Sequence, residues 1–171
     1  MLSELFGETV LERAKSIVIV LLAAVAAIGL QQLAVARQQL NSRPAAEAQA
    51  LDVARQFASA LTTYDYAHLD VQDNSLQNLA SQDVLDRIRT SQPDLVVAKA
   101  SSGGSAGQAY LQSFTGQTAV AVVQTEQTIS SAAAPQAVKA SGLFSCRLEL
   151  GPSGWRVTSY QWLTPVTAST P

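Results

Sequence analysis

The sequence predicts an α+β protein in which one membrane-spanning helix precedes a long helix packed on a curved antiparallel sheet. Three observations predict it. Ile17 to Ala36 is an apolar run without a charge, Ala45 to about His68 repeats apolar residues with a helical period, and the chain beyond Ser101 alternates with the period of strands. Helices followed by a meander of strands define an α+β layout rather than an alternating one.

The apolar run is about 20 residues long, enough for a helix to cross roughly 30 Å of hydrocarbon. It reads as a signal anchor. A removable signal peptide with cleavage after Ala34-Val35-Ala36 is the second reading and a buried core helix the third; the acidic leader (Glu4, Glu8, Glu12) and the internal Gln31 and Gln32 argue against cleavage. Arg13 and Lys15 before the run are matched by Arg37 and Arg43 after it, so charge does not orient it. The simpler arrangement keeps the N-terminus inside and the larger C-terminal part outside the cytoplasmic membrane. The expected organisation is a cytoplasmic segment 1–16, a span 17–36, a stalk 37–44, an extracytoplasmic domain 45–165 and a tail 166–171.

Ser42-Arg43-Pro44 marks a break, after which Ala50, Val53, Ala54, Phe57, Ala60, Leu61 and Tyr64 form one face of a helix expected to run to about His68. A second helical stretch is expected over 74–90, with Leu76, Leu79, Val84, Leu85 and Ile88 inward, a break capped by Ser81, and Pro93 closing it. Ser101 to Gly107 is rich in serine and glycine and reads as a loop. Strands are expected over 108–114, 117–129 (centred on Ala119-Val-Ala-Val-Val123), 143–150 and 155–163, with turns at Thr115-Gly116 and Gly151 to Gly154 and a connection at 130–136. In the third of these Phe144, Cys146, Leu148 and Leu150 share a face, which makes Cys146 a buried small apolar residue rather than a nucleophile.

Composition narrows the function. Between Ala45 and Pro165 seven basic residues face ten acidic ones, a formal charge of −3, and nucleic acid is excluded as a direct partner for want of a concentrated basic face. One cysteine forbids an intramolecular disulfide. Phosphate loops, nucleophile triads, paired-cysteine metal spacings and internal repeats are all missing from the sequence.

The candidate site residues fall in two groups. Tyr64, Asp65, Tyr66, His68 and Asp70 crowd one segment, where such groups could exchange protons if desolvated, but Asp and His at a helix end are also ordinary capping and turn residues. His68 is the only histidine, so no metal or other cofactor is expected. Trp155, Tyr160 and Trp162 form the second group: Trp155 with Val157 lies on one strand face and Tyr160 with Trp162 on the other, provided that no bulge falls near Ser159. Trp155 would then plug the core, while Tyr160 and Trp162 would cap its edge or meet a partner.

The order of an apolar span, a long helix ending in Leu61-Thr-Thr-Tyr-Asp-Tyr-Ala-His-Leu-Asp70, an alanine-containing second helix, a strand of the Val120-Ala-Val-Val-Gln-Thr-Glu-Gln-Thr128 kind and a closing Gly154-Trp-Arg-Val157 strand resembles the actinobacterial Mce-associated membrane proteins. It also resembles, more broadly, the cone-shaped (cystatin-like) domains of the nuclear transport factor and ketosteroid isomerase superfamily. The resemblance implies a non-catalytic, membrane-anchored accessory subunit that stabilises or connects an Mce-type lipid importer, with transport-complex subunits as partners. The assembly scaffold of type IV secretion and conjugation machines has the same layout and is the alternative. A lipid held inside the cone, an enzymatic cone and a homo-oligomer are further readings.

Overall fold

The computed structural model describes residues 43–164 and the backbone of 167–168. The segments 1–16 and 17–36, nearly all of the stalk and most of the tail lie outside the described residues. Among the described residues no helix is long and apolar enough to cross a membrane.

Helix α1, described over 43–62, buries Ala50, Ala54, Phe57 and Ala58, a stripe at helical spacing whose small residues let the backbone lie close to the sheet. It stops at Thr62, six residues short of the expected end. Thr62 turns its hydroxyl back onto Ala58 O at 2.8 Å. The Thr63 hydroxyl donates to Gly104 O (3.1 Å) and accepts from Gly104 N (3.2 Å), which clips the helix end to a strand. The next two residues, Tyr64–Asp65 (β1), are therefore extended and pair with Ser102 and Ser101. A turn organised by Asp65, whose Oδ1 accepts from Ala67 N at 3.0 Å, leads into α2 (Leu69–Leu76).

Helix α3 (Gln82–Ala98) follows Ser81, which occupies its N-cap in extended conformation without a side-chain cap bond. The expected single stretch is thus two helices with the break at the expected residue. Pro93 does not close α3 but lies inside it; the helix ends at Lys99, which takes a left-handed φ of 48° while Ala100 N closes onto Leu95 O. Arg89 bonds Asp73 at 2.9 Å and Gln92 bonds the same carboxylate at 2.8 Å, tying α3 to α2.

The sheet is an antiparallel meander, β2 (Ser101–Phe114), β3 (Thr118–Ser130), β4 (Val138–Gly151) and β5 (Gly154–Trp162), with β1 outside β2. The glycine-rich segment expected as a loop is the first half of β2. Its flexibility is used for approach: a Cβ on Gly104 would overlap the Thr62 side chain and lie 2.8 Å from the Thr62 carbonyl oxygen. The tail is not wholly unpaired either, because Thr167–Ala168 (β6) pairs with β4 at Ser141 and Ala140.

Among the described residues three bulges curl the sheet. Two fall in β2, between Ala106 and Ala109 and between Leu111 and Ser113, and one in β5, where Arg147 pairs with Ser159 but Leu148 with Val157, leaving Thr158 as the extra residue. Helices pack on the concave face, which is lined by alternate residues of β3 and β4: Ala119, Ala121, Val123, Phe144, Cys146 and Leu148. Leu150, expected to share this face inward, is partly exposed at the strand's end. Burial pushes the Cys146 thiol up to about 12. The edge of β5 is covered by the chain between α2 and α3, since Val157 N donates to Leu79 O and Ser81 N to Val157 O, each at 2.8 Å.

Candidate functional site

The bulge at Thr158 decides where the closing aromatics go. An extra residue reverses the alternation beyond it, so Tyr160 and Trp162 share the concave face with Trp155 and Val157 rather than opposing them. This corrects the sequence-based parity. Tyr160 meets Phe57 edge-on at 5.5 Å and Trp162 meets Phe144 at 5.6 Å, whereas Trp155 packs 5.8 Å from Phe114 near the hairpin turns. The three aromatics thus occupy both ends of one cone.

At the end away from the 115–117 and 151–154 turns, where the connection from β3 to β4 lies, a cavity of about 260 Å³ opens between α2, α3 and the sheet. Its apolar walls come from Leu61, Ile88, Leu95 and Ile129, and its aromatic walls from Tyr64, Tyr160 and Trp162. Polar groups converge there as well. Gln72 is 5% exposed, and its Nε2 donates to Leu61 O at 3.0 Å, satisfying a carbonyl in the last turn of α1. Among the described residues its Oε1 has no partner. Gln127, also on the wall, accepts from the Ser102 hydroxyl at 3.4 Å. Among the described residues neither the Tyr64 nor the Tyr160 hydroxyl has a hydrogen-bond partner, and burial raises both phenols above their usual value, for Tyr160 against the opposing pull of Arg87.

The first sequence group divides. Tyr64 enters the cavity wall because β1 is a strand. Asp65 stays exposed, its carboxyl held below the usual range first by the Ala67 N–H and then by His68 and Ser101. His68 faces that carboxylate at 3.4 Å on the surface, and Tyr66 and Asp70 are exposed. The segment is therefore a turn with one inward tyrosine and does not assemble a desolvated acid–base pair. Among the described residues no group of three His, Cys, Asp or Glu could hold a metal ion. Sequence reasoning missed Gln72, although an amide at i+3 between Leu69 and Leu76 on one helical face is a visible signal.

A larger depression of about 510 Å³ lies on the sheet around Glu126 and Lys139, with Gln124, Thr128 and Ser105 on its walls. It is a polar groove.

The class that the geometry defines is an α+β fold of helices on a curled antiparallel half-barrel, with a cavity at one end. No family model and no curated protein sequence matches the chain. Solved structures do. An IcmL-like type IV secretion system protein from Legionella pneumophila superposes with a TM-score of 0.54 at 16% identity, covering 72% of this chain and 94% of that one. CagV, a VirB8 homologue of the type IV secretion system of Helicobacter pylori, gives 0.53 at 13% identity over 72% of this chain and 100% of that one. A candidate aromatic ring hydroxylase from Novosphingobium aromaticivorans gives 0.53 at 13% identity, with 72% and 92% covered. At such identities the likeness is one of fold, and it spans secretion components and a differently described protein alike. None of these three is described as Mce-associated.

Proposed function

We propose that the chain is a non-catalytic, membrane-anchored assembly scaffold of a type IV secretion or conjugation machine, held by the span 17–36 with its cone outside the cytoplasmic membrane. The observation that carries this reading is the cone shared with CagV over that protein's whole solved length, together with the apolar run that precedes the cone in the sequence. The absence of a desolvated acid–base pair in the 64–70 segment favours holding partners over transforming a substrate. Partners are then protein subunits of the complex, with self-association among them. The Mce-type importer subunit, first in order from the Tyr64-Asp-Tyr-x-x-Leu-Asp70 resemblance, becomes the second reading.

One experiment separates the two. The tagged full-length protein is purified from its own membranes in mild detergent and co-purifying proteins are identified by mass spectrometry. Conjugation ATPases and channel subunits are the expected companions. Recovery of Mce-type substrate-binding subunits and a permease instead would overturn the secretion reading.

A further inference from the structure

We propose that the outer edge of β2 is a self-association surface, to which a second copy of this chain adds its own β2 in antiparallel pairing with Tyr110 on the two-fold axis. The sheet is unfinished on this side. β1 occupies that edge only at Ser101 and Ser102, and Thr63 satisfies Gly104. From Ser105 to Ser113 no strand lies outside β2 among the described residues, so this stretch presents a row of main-chain donors and acceptors. The opposite side is managed differently: the 79–81 segment bonds Val157 on β5, and β6 pairs with β4 near its start. What fits a bare edge is another extended strand.

The residues of β2 select a second copy. All 14 residues of Ser101–Phe114 are uncharged and none is proline, whereas β3, β4 and β5 each carry charge, so two copies meet at β2 without like-charge contacts. Gln108-Ala-Tyr-Leu-Gln112 is nearly symmetric about its centre. With Tyr110 on the axis, Ala109 lies opposite Leu111 of the second copy and Gln108 opposite its Gln112. Ala109 and Leu111 both pack on the core, so a small residue meets a large one on that face. Tyr110, paired with Val122 on the other face and 60% exposed, meets the same ring of the second copy. The bulges between Ala106 and Ala109 and between Leu111 and Ser113 flank this centre, and the two-fold lays one copy's first bulge beside the other's second. A straight strand would not match both kinks. A centre of about five residues buries less than the roughly 1,200–2,000 Å² of a standard interface, so the pair is weak in solution and gains from copies sharing one membrane. This gives a surface to the self-association named above and rests on that reading for the shared membrane.

The test uses the full-length protein in its own membranes with cysteine reporters, since the native Cys146 is buried. Copies carrying Gln108→Cys and copies carrying Gln112→Cys, distinguished by their tags, are co-expressed and treated with a mild oxidant. The expected result is a disulfide-linked mixed dimer, and a self-linked dimer for Tyr110→Cys, because directly opposed Cβ atoms lie about 4.5–5.5 Å apart, close to disulfide reach. Thr128→Cys, exposed one strand away on β3, should stay unlinked. Tyr110→Lys added to the reporter pair sets like charges opposite each other and should cut the mixed dimer about fivefold without lowering the melting temperature. Linking of Thr128→Cys as strong as that of Tyr110→Cys, a mixed dimer no stronger than that of Gln108→Cys with itself, or a yield untouched by Tyr110→Lys would overturn the proposal. Absence of any linked dimer would overturn it too, and loss of co-purifying subunits on Tyr110→Lys would then assign the edge to a strand of another subunit. Where Tyr110→Lys fails to fold, the cysteine pattern alone decides. Companions are read separately: linked dimers alongside Mce-type subunits would leave this surface standing and overturn the secretion reading, and conjugation subunits without linked dimers would do the reverse.

Discussion

The two ends of the cone are built from the same strands and solve opposite problems. At the hairpin end Phe114 and Trp155 meet over Ala119, Leu148 and Val157, all three essentially buried, and the 79–81 segment covers the edge of β5. At the other end Tyr64, Gln72, Gln127, Tyr160 and Trp162 surround open space. Trp155 is 5% exposed and Trp162 is 39% exposed, though both lie on the concave face of one strand. Burial alone closes the first end, whereas the second keeps polar groups in its wall and leaves a cavity. The lesson is that tight burial and open, polar-walled space are assigned to different ends, and substitutions should separate them.

The largest expected difference is between the two tryptophans. Trp155→Ala should cost about 3–5 kcal/mol by chemical denaturation, and Trp162→Ala about 1 kcal/mol or less. Equal losses would break the contrast. Next is the pH dependence of the sealed interior. Cys146 stays protonated in the fold to about 12, while in the unfolded chain it ionises near 9. The unfolded state therefore holds fewer protons above pH 9, and stability present in full below that pH should fall by up to about 4 kcal/mol toward pH 12. Tyr64 and Tyr160, both raised, act in the same direction. Cys146→Ala should flatten the slope measured by denaturation across pH 8 to 11; an unchanged slope would place the alkaline loss at the tyrosines of the open end.

Smaller effects probe how the open end is anchored. Gly104→Ala should destabilise by about 1–3 kcal/mol because the methyl meets Thr62 backbone as well as side chain, whereas Gly103→Ala, with nothing within 4 Å, should change stability by no more than about 0.5 kcal/mol. A thermal melt of each variant decides it. Thr63→Val should cost about 0.5–1.5 kcal/mol by removing both bonds to Gly104, with the loss read as faster amide exchange at Tyr64 and Asp65 rather than in the β3–β4 centre.

Much of the hairpin end was legible in the sequence. The alternation in β3 and β4, the turn at Gly116 with its φ of 89°, the turn before Gly154 with φ of 100° and the inward set Phe144, Cys146 and Leu148 are local patterns. The open end was less so. Ser101 to Gly107 has the composition of a loop and becomes a strand because β1 and β3 flank it and supply its bonds. Thr62 and Thr63 end α1 because their hydroxyls find Ala58 and Gly104, a partner 41 residues away in the case of Thr63. Gln72 was passed over, and only the packed helix end shows which carbonyl it serves.

By itself the sequence determined the α+β order, the inward faces of α1, β3 and most of β4, the break at Ser81 and the burial of Cys146. These depend on periodicity, which the backbone geometry of a few neighbouring residues dictates. Only the tertiary structure decided the bulge at Thr158, the strand at Ser101 to Gly107 and the cavity between Tyr64, Gln72 and Tyr160. A bulge is a mismatch between two paired strands and a cavity is what several distant elements leave unfilled, so neither is a property of any one segment.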